Sequence, residues 1–223
     1  PVGAFLSAGA FPGVSGCLTF PREWIRMVTE CKKGVRLVRA ADLKERLEDF
    51  PLIAAIRDDR WEKALHSPAE VLFYLEANLL TVKERITEAH GAGKVIFVHL
   101  DLAEGIGKDR AGIEFLAGCG VDGIISTRAQ IIRLAKDAGL LTVQRFFALD
   151  SQGMDSVQEM LKATKPHFME IMPGVIPKAI SRFSGGNVPV IAGGLIETKT
   201  EITAALRSGA IAISTGSPTL WEM

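Results

Sequence analysis

The stretch VPVIAGGLIETKTEITAALRSGAIAIST, residues 188–215, decides the fold. VPVIAGG (188–194) is a short, continuously apolar run and reads as a strand of a sheet covered on both faces. TKTEITAALRSG (198–209) reads as a helix and AIAIST (210–215) as a second strand. Strand, helix and strand in that order make one unit of a parallel sheet. Two clusters of small residues, Gly193-Gly194 and Ser214-Thr215-Gly216, each directly follow one of these apolar runs.

The same rhythm extends back to residue 42. DLKERLEDF (42–50) reads as a short amphipathic helix. The strands are LIAAI (52–56), VLFYLEA (71–77), VIFVHLD (95–101), DGIIST (122–127), LTVQRFF (141–147) and HFMEIMP (167–173), with helical segments between them such as TVKERITEAHGAG and AQIIRLAKDAG. Eight βα units in about 180 residues fit a compact TIM (β/α)8 barrel, an α/β fold somewhat below its usual size. An open doubly wound sheet is the alternative, but regular units with no sign of a second half favour closure. A weak internal repeat agrees: GCGVDGIIST (118–127) resembles RSGAIAIST (207–215), and Gly105 and Gly194 precede Ser126 and Ser214 by 21 and 20 residues. A duplicated half-barrel would leave such an echo. Residues 1–41 do not join the rhythm, so the division is an N-terminal extension, 1–41, and a barrel domain, 42–223.

With 223 residues, 48% of them hydrophobic, the chain can bury a sizeable core. Three cysteines (Cys17, Cys31, Cys119) form no CxxC pair, which argues for reduced thiols and a cytoplasmic location. No apolar run approaches ~20 residues, so no membrane span is expected. The opening PVGAFLSAGAFPG lacks a basic region, so no signal peptide is expected. The zero net charge hides an asymmetry: residues 1–41 carry six basic side chains against Glu23 and Glu30, net +4, leaving −4 for the other 182. A basic arm suits a polyanion, and a solvated tail is the plain alternative.

Barrels of this kind commonly bind phosphate after strands seven and eight. A phosphate needs several converging backbone N–H groups, helped by a helix N-terminus, and glycine permits the close approach and positive φ of such a turn. Gly193, Gly194 and Leu195 after strand seven, with Ser214, Thr215 and Gly216 after strand eight, are therefore the candidate phosphate site. Tight turns without a ligand are the plain alternative. GCGVDG (118–123) matches GxGxxG, but it ends a helix and enters a strand, so it is helix-stop chemistry rather than a dinucleotide fingerprint. No GxxxxGK[ST] loop exists.

Other polar groups stand at strand ends. Alternation puts His99 and Asp101 on one face. Two ligands without a third favour structural or hydroxyl-binding roles over metal, and no metal or cofactor is expected. Arg145, if inward, balances Glu170 or Asp101; if outward, it lies on the helix layer. Asp58 and Asp150, ending strands one and five, are a general base and acid pair if the barrel is an isomerase-like enzyme.

HLDLAEGIGKDRAGIEFL, DGIISTRAQIIRLAK, TVQRFFALDS, EIMPGVIPKAI, VIAGGLI and ISTGSPTLW, in that order across residues 42–223, resemble the glycerol-3-phosphate-responsive antiterminator family of bacterial regulators. The resemblance implies a TIM barrel that senses glycerol 3-phosphate and acts on leader mRNA to prevent early transcription termination, without catalysis. Asp101, Arg145 and Glu170 are the candidates for the glycerol end. RNA contact draws on localised cations, and the candidates are Arg128, Arg133 and Lys136 around the fourth barrel helix with Arg36 and Arg39 in the extension. No RNA-binding motif is visible. The competing readings are an enzyme on a small phosphate ester and a phosphate-binding barrel that works only through protein contacts.

Overall fold

A computed structural model describes residues 38–148 and 150–223. Eight strands, β1 (Leu52–Ile56), β2 (Val71–Tyr74), β3 (Val95–His99), β4 (Gly123–Ser126), β5 (Leu141–Phe147), β6 (Phe168–Met172), β7 (Val190–Gly193) and β8 (Ala212–Thr215), pair in parallel and in sequence order. Ile53 of β1 stands opposite Ser214 of β8, and this pairing closes the barrel and removes the open-sheet alternative. The helices are α1 (Ala40–Asp49), α2 (Trp61–His66), α3 (Val82–Gly91), α4 (Arg110–Cys119), α5 (Ala129–Asp137), α6 (Ser151–Thr164), α7 (Pro177–Phe183), α8 (Lys199–Arg207) and α9 (Pro218–Trp221). The extension expected over residues 1–41 lies almost wholly outside the described residues, and Arg36 with it.

Each strand buries both faces. Odd strands send Ile53, Phe97, Val143 and Ile191 into the barrel interior; even strands send Phe73, Ile125, Phe168 and Ala212. The alternate residues, among them Ile56, Leu72, Ile96 and Ile124, pack under the helices. Each fully buried side chain of this size contributes about 1.5–3 kcal/mol. Helix α1 precedes the first strand, and its Leu43 and Leu47 belong to the interior cluster with Val71, Val95, Leu141 and Ala212, which begin their strands. Helix α1 therefore covers the N-terminal end of the barrel and leaves the other end to a ligand.

The local chemistry sets the helix bounds. Asp109 caps α4 by accepting from the Gly112 N–H at 3.0 Å, and Gly120 ends that helix at φ 89°, as the helix-stop reading of GCGVDG requires. Thr198 and Glu201 form a reciprocal capping box at the start of α8. Several strands are shorter than their apolar runs. VPVIAGG begins pairing only at Val190, after Pro189, which has no N–H to donate, and VIFVHLD ends at His99 because Leu100–Leu102 turn into a 3-10 helix.

Candidate ligand site at the barrel mouth

Two residues past the apolar interior, the inward positions change character. Beyond Ile53, Phe97, Val143 and Ile191 stand Ala55, His99, Arg145 and Gly193; beyond Phe168 and Ala212 stand Glu170 and Ser214. Above them opens a cavity of about 580 Å³, a volume suited to a small molecule. Its wall contains Gly194 and Leu195 after β7 and Ser214, Thr215 and Gly216 after β8, so the two turns singled out in the sequence face one space.

Gly193 lies just below the wall. A Cβ there would stand 2.2 Å from Glu170 Oε1, so only glycine leaves room for the carboxylate where it lies. Gly194 and Leu195 are both left-handed, at φ 77° and 61°, and carry the chain sharply away from β7. The Gly174 N–H supports this turn by donating to the carbonyls of Gly193 (2.6 Å) and Gly194 (3.1 Å). Thr215 ties the turns together: its hydroxyl donates to Ile196 O at 2.8 Å and accepts from the Ser217 N–H at 3.2 Å. The hydroxyl is thereby committed to the protein. The buried Trp221 of α9 donates its indole N–H to Thr215 O at 2.9 Å and pins the second turn. A dipole from a helix following β8 is not a feature of the site, because α9 is only four residues long.

Arg60 is not among the candidates drawn from the sequence. It follows β1 in a 3-10 turn, lines the cavity, and donates from Nη1 to the carbonyl of Gly216. Loops that follow barrel strands are where ligand-binding side chains sit, and that placement is the available signal. Arg60 places a guanidinium beside the two turns.

Arg145 points inward. It stands opposite Glu170 in the β5–β6 ladder, and its Nε donates to Glu170 Oε2 at 2.6 Å, with side chains 9% and 1% exposed. Two of the three glycerol-end candidates thus meet at the cavity floor. Asp101 does not join them. Because β3 stops at His99, strand alternation does not carry Asp101 to the inner face. It lies in the 3-10 turn and accepts from the Ser126 hydroxyl (2.8 Å), the Thr127 N–H (2.7 Å) and the Thr127 hydroxyl (2.8 Å). Burial pushes its carboxyl up, but these hydrogen bonds outweigh burial and hold it below the usual aspartate value. Asp101 fastens the β4–α5 loop, and Ser126, the echo of Ser214, is spent there.

The acid–base pair of the enzyme reading is not assembled. Asp58 accepts from the Tyr74 hydroxyl at 2.8 Å and lies 3.6 Å from Arg85 Nε, while Asp150 caps α6 by accepting from the Gly153 N–H at 2.7 Å. Neither lines the cavity. Among the described residues no group of three or more His, Cys, Asp or Glu side chains is arranged to hold a metal, and no helix is long and apolar enough to cross a membrane.

The RNA candidates are dispersed. Arg128, at the N-cap of α5, is 58% exposed and 3.7 Å from Asp101; Arg133 is exposed on the same helix. Lys136 is occupied at the far end, donating to the carbonyls of Thr164 (3.2 Å) and Lys165. Arg39 pairs with Asp42 at 2.7 Å on the N-terminal side of the barrel.

The chain is similar to known proteins. Uncharacterized protein YgcP of Escherichia coli (strain K12) is 31% identical over 180 residues, which is 79% of this chain and 94% of that protein. The crystal structure of the glycerol uptake operon antiterminator regulatory protein from Listeria monocytogenes str. 4b F2365 is 34% identical and superposes with a TM-score of 0.74, covering 78% of this chain and 96% of that one. A glycerol uptake operon antiterminator-related protein from Thermotoga maritima MSB8 is also 34% identical, with a TM-score of 0.70 over 77% of this chain and 98% of that one. The family model described as glycerol-3-phosphate responsive antiterminator matches residues 52–221, which span every barrel strand and both turns at the cavity. This chain therefore belongs to the glycerol-3-phosphate responsive antiterminator family.

Proposed function

We propose that the barrel mouth binds glycerol 3-phosphate and that the liganded chain acts on leader mRNA to prevent early transcription termination. The observation that carries the reading is one cavity shared by both small-residue turns, an arginine and a buried ion pair. In this reading the phosphate lies against the backbone of Gly193, Gly194, Leu195, Ser214, Thr215 and Gly216. Arg60 supplies the cation that a dianion needs, since charge-assisted bonds from a guanidinium to phosphate oxygens are strong and directional. The glycerol end then descends toward Arg145 and Glu170. Asp101 is left out of the ligand site, its oxygens being engaged by the β4–α5 loop.

RNA contact in this reading rests on cations free to reach a phosphate backbone. Arg128 and Arg133 meet that condition better than Lys136, whose ammonium is held by two carbonyls. Arg128 also lies 3.7 Å from Asp101, which fastens the β4–α5 loop.

Thermal unfolding with glycerol 3-phosphate, glycerol and inorganic phosphate tests the ligand. At ~100-fold over its dissociation constant, glycerol 3-phosphate is expected to add roughly 2.7 kcal/mol of stability, about 5–10 °C in Tm for a barrel of this size. Glycerol is expected to add nothing. Equal stability with and without millimolar glycerol 3-phosphate would overturn the assignment. Leader-RNA binding measured with and without the ligand tests the second half; affinity that does not respond to ligand refutes it.

A further inference from the structure

His99 is the inward-facing residue at the end of β3, following Val95 and Phe97, which pack in the barrel interior. It is 3% exposed, and neither Nδ1 nor Nε2 has a hydrogen-bond partner within the protein. Buried polar side chains are nearly always hydrogen-bonded, because desolvation without a partner is costly. A phenylalanine or leucine would fill a purely structural position without that cost.

The barrel is sparsely filled at the level of His99. Its counterparts on the other odd strands are Ala55, Arg145 and Gly193, so two of the four inward positions at this level are nearly empty of side chain. Ala55 and Arg145 line the cavity, and Arg145 directs its Nε at Glu170; His99 stands at the same level but is enclosed and is not itself part of the cavity wall. Burial, followed by the positive charge of Arg145, pushes the imidazole pKa down to about 4, against a smaller opposing pull from Asp101. The ring is therefore neutral near pH 7, with one N–H donor and one lone pair. A vicinal diol offers a hydroxyl to each of these, as acceptor and as donor.

We propose that His99 recognises the hydroxyl end of the ligand, making the site selective for a polyol phosphate over phosphate itself. This rests on the reading of the cavity as the glycerol 3-phosphate site. Titration calorimetry on the full chain, with glycerol 3-phosphate and with inorganic phosphate, tests it in wild type and in His99→Leu. His99→Leu is expected to weaken glycerol 3-phosphate about 10- to 100-fold, because the diol loses its partner in a dry site. Inorganic phosphate is expected to bind the variant within about twofold of wild type, by the same reasoning that no hydrogen bond to it is lost.

An unchanged glycerol 3-phosphate affinity in His99→Leu overturns this inference alone. So does an equal loss for both ligands. Wild type that fails to bind glycerol 3-phosphate overturns the effector-site reading and this inference with it. If His99→Leu does not fold, the imidazole nitrogens of wild type serve instead, observed by 15N NMR. Glycerol 3-phosphate is expected to shift them and settle one tautomer, and inorganic phosphate to leave them in place. Ring nitrogens that ignore bound glycerol 3-phosphate overturn the proposal.

Discussion

Removing the Glu170 carboxylate is expected to destabilise the barrel severely, and the reason is local. Arg145 is 8% exposed, and its Nε rests on Glu170 Oε2 at 2.6 Å. Glu170→Ala leaves a guanidinium inside the barrel with no counter-charge, and breaking a buried pair from one side typically costs about 3–5 kcal/mol. Solvent screening reduces this little, because the two side chains are only 9% and 1% exposed. For a chain of this length each kcal/mol moves Tm by about 2–4 °C, so the expected fall is roughly 6–20 °C. Replacing both partners by apolar residues of similar volume is expected to cost much less, since no charge is stranded. Gly193 gives an internal control. A Cβ there meets Glu170 Oε1 at 2.2 Å, so Gly193→Ala displaces the carboxylate in wild type but meets no such obstacle in the Glu170→Ala background. Urea unfolding of wild type, the two single variants and the double variant gives the coupling directly. A Glu170→Ala loss below about 1 kcal/mol would mean that Arg145 swings into the cavity and finds water, and would refute the account of the pair as buried; strictly additive effects with Gly193→Ala would refute the close approach of Gly193 and the carboxylate.

Gly194→Asp adds a carboxylate beside the expected phosphate and forces a side chain onto φ 77°; the barrel is expected to fold with a loss of roughly 1–2 kcal/mol while glycerol 3-phosphate binding fails, and unchanged binding by calorimetry would move the site elsewhere. His99 has a folded pKa of about 4 against about 6.5 unfolded, so below pH 6.5 the unfolded chain takes up a proton that the native state refuses. Stability is then expected to fall by about 2 kcal/mol between pH 7.5 and 5, with His99→Gln flattening the loss; His90, whose pairing with Asp122 raises its pKa, works in the opposite direction and is common to both proteins, so parallel pH profiles would refute the assignment. Arg128→Ala is expected to reduce the slope of log affinity for leader RNA against log salt by about 0.7–0.9, as one lost phosphate contact would; an identical slope removes Arg128 from the RNA surface.

Element type and order were legible because their causes are local. LIAAI and LTVQRFF are β1 and β5 to the residue, each a short apolar run bounded by a turn. The pairing of a glycine turn at the end of VPVIAGG with a serine–threonine–glycine turn at the end of AIAIST was also legible, because both end adjacent strands and (β/α)8 closure brings such ends together. What tertiary structure alone decided is which polar side chains remain available. Asp101 and Thr215 look like ligands in the sequence, yet their oxygens are taken by Ser126, Thr127 and Ile196, partners 19 to 26 residues away. Lys136 looks free on a helix and is held by carbonyls 28 and 29 residues on. Arg60 and His99 went the other way: one reached across to Gly216, 156 residues distant, and the other was left in the barrel without a partner. A strand or a helix is determined by its own neighbours in sequence, whereas the occupancy of a hydrogen-bonding group depends on atoms that only closure of the barrel brings within 3 Å.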